Sequence, residues 1–177
     1  MRLFRKLIKL ILKLASPYRH ARFCGFKMGK GCFIATRYMP TEAYLIDIGD
    51  NVQITEGVKI FTHGGAHVAR SVGYPNFDVF GKVTIGDWSY IGSNALIMPG
   101  VSIGKHVLVA AGSVVTHSVP DNVCVAGNPA KIICTTDEFV RKNLKHNYDT
   151  KPLSFDEKKN MILSHPEKLI RKSFLKV

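Results

Sequence analysis

The sequence predicts a parallel β-helix, a fold of short strands wound into stacked coils, and three observations carry that expectation. Ile85, Ile91, Ile97, Ile103, Val109 and Val115 stand at an unbroken spacing of six. Four residues after each comes Ser89, Ala95, Val101, Val107, Ser113 or Val119, all small or β-branched. Gly86, Gly92, Gly100, Gly104 and Gly112 recur where the backbone must turn tightly. An amphipathic helix needs apolar residues three and four apart, and a half-buried strand needs alternation, so neither template fits a period of six.

Three hexads, each one short flat strand, close a triangular coil with the aliphatic residue pointing inward and the small residue near the corner. One coil buries little by itself, so ladders of aliphatic residues from neighbouring coils must supply the core. Burial of a Val or Ile contributes about 1.5–3 kcal/mol, and a charged residue at Ile97 or Val109 is expected to unfold the stack.

Along the chain, residues 1–40 hold ten Lys or Arg and no acid, the first carboxylate being Glu42; the remainder of the chain is close to neutral. Residues 3–15 are helical by propensity. Their apolar face (Leu3, Phe4, Leu7, Ile8, Leu10, Ile11, Leu12 and Leu14) runs beside Arg2, Arg5, Lys6, Lys9 and Lys13. Such a helix either packs on the first coil or lies on an anionic membrane surface. The interspersed charges exclude a spanning helix or a signal sequence, so a cytoplasmic location is expected. The hexad phase is faint at Met28 and Ile34 and clear at Ile48, Ile54 and Ile60, with Val52 and Val58 at the small position. Between Ile60 and Ile85 the spacing exceeds one coil. With Ala66 and Val79 heading the intervening hexads, the surplus is an inserted loop, AHVARSVGYPNFD, about residues 66–78. Beyond the repeat, Asp137 to Lys145 reads as a helix, and Ser154 with Glu157 and Ser164 with Glu167 form S-x-x-E capping boxes of two more. These helices are expected to cover the open edge of the last coil. The organisation is thus a basic helical segment at 1–23, a β-helix at 24–134 and a helical cap at 135–177.

Composition narrows the function classes. With 46% apolar and 21% charged residues the chain is neither disordered, collagen-like nor a polytopic membrane protein. The local basic excess points to one anionic contact rather than to nucleic acid, for which no recognition module or interleaved aromatic patch is present. Cys24, Cys32, Cys124 and Cys134 form no C-x-x-C pair and read as reduced core thiols.

The segment IGDWSYIGSNALIMPGVSIGKHVLVAAGSVVTHSVPDNVCVAGNPAKII resembles the signature of the hexapeptide-repeat acyltransferases. FTHGGAH followed by YPNFDVFGKVTIG is most similar, within that superfamily, to the O-acetyltransferases of capsular and other cell-surface polysaccharides. The resemblance covers about residues 24–134. It implies an all-β, left-handed parallel β-helix forming a homotrimer, with acetyl-CoA in the groove between subunits and no metal. The general preference for right-handed crossovers would have suggested the opposite hand. The implied reaction moves acetyl from acetyl-CoA to a hydroxyl of a sugar or polysaccharide precursor, a histidine taking the proton of the attacking oxygen. An imidazole titrating near 6.5 suits that role at neutral pH, and a backbone N–H is expected to stabilise the oxyanion.

His63 matches the base of the family best, following Ile60, Phe61 and Thr62 at a hexad end, with Gly64 and Gly65 allowing close backbone approach. Many relatives read THDG where this chain reads THGG, so the acid beside the base is missing; Glu56, Asp78 or a backbone carbonyl could orient the imidazole instead. His67 competes, because its spacing to Tyr74 and Pro75 resembles that after the base of the related antibiotic-modifying enzymes. For acetyl-CoA the resemblance points to Ser93, Ala111, Thr116 and Lys131. Ala111 offers backbone groups, Ser93 and Thr116 hydroxyls, and Lys131 a charge for a CoA phosphate. Two departures bear on the cofactor: the usual V-W-I-G reads Ser89, Tyr90, Ile91, Gly92, with Trp88 two positions early, and Cys134 replaces a second phosphate-binding Arg. His117 reads as a solvated corner residue. Loop residues Arg70, Tyr74 and Asn76 are expected to help select the acceptor. Rival readings are N-acetyl transfer on the same scaffold, a gamma-class carbonic anhydrase using His63, His67 and His106 as zinc ligands, and a non-catalytic assembly module.

Overall fold

The computed structural model describes residues 2–174, and the side chains of Arg2, Leu3 and Arg5 lie outside what is described. The chain divides into two units, residues 1–136 and residues 137–177.

In the first unit two helices, α1 (Arg2–Ala15) and α2 (Pro17–Cys24), precede the strands. The second helix was not anticipated, although its signal is plain: Ser16 caps it, accepting from the Arg19 amide at 3.3 Å, and Pro17 occupies the first turn. The strands are β1 (Lys27–Met28), β2 (Phe33–Ile34), β3 (Ile46–Ile48), β4 (Gln53–Ile54), β5 (Lys59–Ile60), β6 (Val83–Ile85), β7 (Tyr90–Ile91), β8 (Leu96–Ile97), β9 (Ser102–Ile103), β10 (Leu108–Val109), β11 (Val114–Val115), β12 (Val123–Gly127) and β13 (Ala130–Thr135). They form three sheets: β1-β3-β6-β9, β2-β4-β7-β10-β12-β13 and β5-β8-β11. From β1 to β12 consecutive strands lie in different sheets, so from β3 to β11 the chain visits three faces in turn, and all strand pairings are parallel except the closing β12–β13 hairpin.

The hexad ladder is the register of those sheets. Ile48 pairs with Ile85 and Ile85 with Ile103; Ile54 pairs with Ile91 and Ile91 with Val109; Ile60 pairs with Ile97 and Ile97 with Val115. All are buried. Ser89 is tolerated in the core because its hydroxyl donates to Gly104 O at 2.8 Å and accepts from Val107 N at 3.0 Å. One corner is tied by carboxylates: Asp50, Asp87 and Asp121 accept from the amides of Lys30, Asp50 and Lys105 at 2.7, 2.9 and 2.8 Å. The glycines serve two different purposes. Gly112 has a left-handed φ of 70°, whereas a Cβ on Gly92 would stand 2.5 Å from Ala111 N of the next coil.

The excursion after β5 is longer than the sequence suggested. Ile60 and Ile85 end consecutive strands and are consecutive rungs of the aliphatic ladder, so no hexad strand intervenes: Ala66 opens a short helix α3 (Ala66–Ser71) and Val79 is exposed. Spacing alone misleads here because a buried Ala and a surface Val mimic the aliphatic period. A second irregularity lies between β2 and β3, where a 3-10 turn at Ala43–Leu45 replaces a strand of the third face. Of the cysteines only Cys124 is buried, and burial first of all raises its thiol to about 11; the other three are half-buried, and all four are free thiols.

The second unit holds α4 (Thr136–Asn143), whose first residue belongs to the preceding unit, and α5 (Phe155–Ser164), with 3-10 turns at Leu144–His146 and Pro166–Lys168. The Ser154–Glu157 capping box forms as anticipated. The expected box of Ser164 and Glu167 does not: Ser164 Oγ donates back to Met161 O at 3.2 Å, and Pro166 starts only a 3-10 turn.

Candidate active site

The two irregularities of the coil meet. After β5, Phe61 keeps the ladder, its amide donating to Ile97 O at 2.9 Å, and Thr62 is buried. The Thr62 hydroxyl donates to Glu42 Oε2 at 2.9 Å, and His63 Nδ1 lies 2.6 Å from that same oxygen. Glu42 heads the 3-10 turn between β2 and β3. Hydrogen bonds from the side chains of Thr41, Thr62 and His63 outweigh its partial burial and hold its carboxyl down at about 2. It is therefore an acceptor at neutral pH, which makes Nδ1–H the donor and, in the neutral ring, leaves Nε2 as the acceptor.

Glu42 thus takes the orienting role that the sequence reading gave to Glu56, Asp78 or a backbone carbonyl. Asp78 instead pairs with Arg70 at 3.3 Å, and Arg70 Nε also donates to Phe77 O at 3.1 Å, tying the excursion to itself. Glu56 lies on another corner, where its carbonyl accepts from Asn94 N. His63 and Phe80 form an antiparallel bridge that brings the two ends of the excursion together, with their rings edge to face at 6.1 Å.

His63 separates two cavities. The larger, about 520 Å³, is lined by Phe61, Phe80, Met98, Pro99 and Gly100 among others; the smaller, about 370 Å³, by Glu42, His67, Arg70 and Asp78. His67 is exposed in the first turn of α3 and shares the smaller cavity with His63. A Cβ on Gly64 or Gly65 would meet nothing within 4 Å, so the approach to His63 is open from that side.

The four residues expected to touch acetyl-CoA fall in three places. Ser93 and Ala111 are neighbours on one corner, where Gly112 N donates to Ser93 O at 2.8 Å, and Ser93 Oγ donates to Thr55 Oγ1 at 3.2 Å. Thr116 belongs to the corner that carries His63, because Met98 N donates to Val115 O and Phe61 N to Ile97 O; its hydroxyl lies 2.9 Å from His117 Nδ1. Lys131 is exposed on β13, opposite Ala126. Ala111 and Thr116 are exposed and Ser93 half-buried, so the hydroxyls and backbone groups that an amide-rich arm needs are accessible. His106 occupies the corner of the aspartate ladder, away from His63, and among the described residues no three His, Cys, Asp or Glu side chains are grouped to hold a metal ion.

Residues 82–117 match the family described as bacterial transferase hexapeptide (six repeats). The chain is 42% identical over 164 residues to Protein CapG of Staphylococcus aureus, spanning 90% of this chain and 95% of that protein. It is 38% identical over 91 residues to the galactoside O-acetyltransferase of Escherichia coli, spanning 51% of this chain and 44% of that protein. Its fold superposes with a TM-score of 0.57 on a galactoside acetyltransferase in complex with coenzyme A, at 23% identity, covering 79% of this chain and 82% of that one. With its hexad ladder and near full-length similarity to a relative, the chain belongs to the hexapeptide-repeat acyltransferase superfamily.

Proposed function

We propose that this protein moves the acetyl group of acetyl-CoA to a hydroxyl of a sugar or polysaccharide precursor, with His63 as general base. The observation that carries the reading is the His63–Glu42 contact at the border of an open cavity. Nε2 of His63 takes the proton of the acceptor hydroxyl as that oxygen bonds to the thioester carbonyl carbon. The tetrahedral intermediate collapses with cleavage of the carbon–sulfur bond, and the imidazolium returns the proton to the leaving thiolate. Glu42 stays ionised throughout, fixing the ring tautomer and stabilising the transient imidazolium.

A left-handed coil and a homotrimer belong to the same reading. Support for the trimer comes from Ser93 and Ala111 standing on a different corner from His63: side-by-side copies bring one protomer's Ser93 corner toward its neighbour's His63 corner. Ser93, Ala111, Thr116 and Lys131 then bind acetyl-CoA in the cleft so formed, and the excursion bearing Arg70 and Tyr74 selects the acceptor. A basic helical segment at 1–23, a β-helix at 24–134 and a helical segment at 135–177 belong to the same reading. In the same reading the protein is cytoplasmic and α1 lies on the membrane surface, a contact supported by the exposed Phe4, Leu7, Leu10, Ile11 and Leu14; no described helix is long and apolar enough to cross a membrane.

Incubation with acetyl-CoA and a panel of nucleotide sugars, oligosaccharides and lipid-linked sugars, read by CoA release and product mass, tests the reaction. An O-acetylated sugar is the expected product. Acetyl found on nitrogen would overturn O-transfer, and no CoA release with any acceptor would overturn the enzyme reading.

A further inference from the structure

At the N-terminal end of the coil a further pocket, of about 300 Å³, is lined by Lys9, Lys13, His20, Arg37, Tyr38 and Met39. Three features set it apart. Its charged side chains are all cationic, and no carboxylate occurs in the first 41 residues. Among the described residues no ion pair engages Lys9, Lys13 or Arg37. His20 is 2% exposed, and neither of its ring nitrogens has a hydrogen-bond partner.

A cluster of cations that repel one another costs folding free energy unless something anionic joins it. The position is nevertheless held firmly: Arg37 Nε donates to Lys13 O at 3.1 Å, clasping the end of α1. Burial, reinforced by Lys9 and Lys13, lowers the His20 pKa, so a neutral imidazole offers one N–H donor beside the cations. Lys, Arg and a neutral N–H together form the donor set of a phosphate site.

The pocket is connected to the candidate active site through one aromatic pair. Tyr38 lines the cationic pocket, and its ring centroid is 5.7 Å from that of Phe61, which lines the His63 cavity. We infer that the Lys9, Lys13, His20 and Arg37 pocket binds the phosphate or diphosphate of the acceptor, so that the acceptor is a phosphorylated sugar reaching past Tyr38 and Phe61 to His63. This inference rests on the proposed acetyl transfer for the word acceptor, and on the pocket alone for the anion. The same helix α1 that supplies Lys9 and Lys13 exposes the apolar stripe, which suits a diphosphate carried on a lipid.

Calorimetric titration with inorganic pyrophosphate, at saturating CoA to occupy the CoA site, tests the pocket without turnover. Wild type is expected to bind, with about ten- to a hundred-fold weaker binding in the Lys13→Gln/Arg37→Gln double variant and retention in Lys13→Arg. In wild type, pyrophosphate is expected to protect Lys9 and Lys13 from amine labelling and to leave Lys59 reactive, a readout that needs no variant. Equal binding by wild type and the Gln variant, or no protection of Lys9 and Lys13, overturns the site. In turnover, the Gln variant is expected to raise KM for a diphosphate sugar and not for its neutral methyl glycoside. A nucleotide sugar in solution, compared with phosphatidylcholine vesicles bearing an isoprenoid diphosphate sugar, tells the soluble source from the lipid-borne one. A KM shift for either sustains the site, and a shift for neither overturns it. Pyrophosphate binding and protection without acetyl transfer would sink the proposed reaction while sustaining the site.

Discussion

Glu42 Oε2 lies 2.6 Å from His63 Nδ1, although the two residues come from separate coils, and both stand where the hexad is interrupted. The carboxylate also accepts from the buried Thr62, so it is fixed before it meets the imidazole. A charge-assisted contact of this kind both orients a base and favours its protonated form in the transition state.

Replacement of Glu42 by Gln removes the charge and keeps the shape. We expect turnover to fall by about tenfold or more, with KM for acetyl-CoA little changed in steady-state assays. The stability effect has a defined sign. A carboxyl held at about 2 against an ordinary 4.5 contributes stability that is complete above pH 4.5 and is lost as pH falls towards 2. Thermal unfolding of wild type and Glu42→Gln across that window should converge at the acid end. Parallel curves would show that the contact adds no pH-linked stability.

His63→Ala is expected to lower kcat by about 10²- to 10⁴-fold, with acetyl-CoA affinity by calorimetry nearly unchanged. His67→Ala is expected to have a much smaller effect. The reverse order would transfer the role of base to His67.

Gly92→Ala tests the corner proposed to hold the cofactor. The added Cβ would stand 2.5 Å from Ala111 N, a backbone atom that cannot swing aside. Overpacking of this kind costs about 1–3 kcal/mol, read by chemical denaturation. Because Ser93 and Ala111 must separate, KM for acetyl-CoA should rise more than KM for the acceptor.

The exposed stripe on α1 predicts sedimentation with anionic liposomes, weakened by salt. Leu10→Glu with Leu14→Glu should abolish it, since both side chains are more than half exposed and the change cannot disturb a buried core. Truncation of residues 1–16 should do the same. Unchanged sedimentation of both variants would end the membrane contact.

The regular part of the molecule was readable because each hexad obeys one local rule. Ile85 to Val115 must face inward wherever the chain closes three-sided coils, so their spacing alone yields the register that pairs Ile91 with Val109. The excursion is not legible in the same way because it obeys no period: Ala66 begins a helix and Val79 faces solvent. The second helix carries its own local signal in Ser16–Pro17, and the second capping box fails because Pro166 starts only a 3-10 turn.

The sequence by itself determined the stacked coils, the small residues at their corners, and His63 as the histidine at a hexad end, because local repetition and burial leave little choice. Only the tertiary structure decided that Glu42 is the partner of His63 and that Lys9, Lys13, His20 and Arg37 line one pocket. Those neighbours are set by where irregular segments return to the coil. Such segments carry no periodic signal, and their contacts form between residues far apart along the chain.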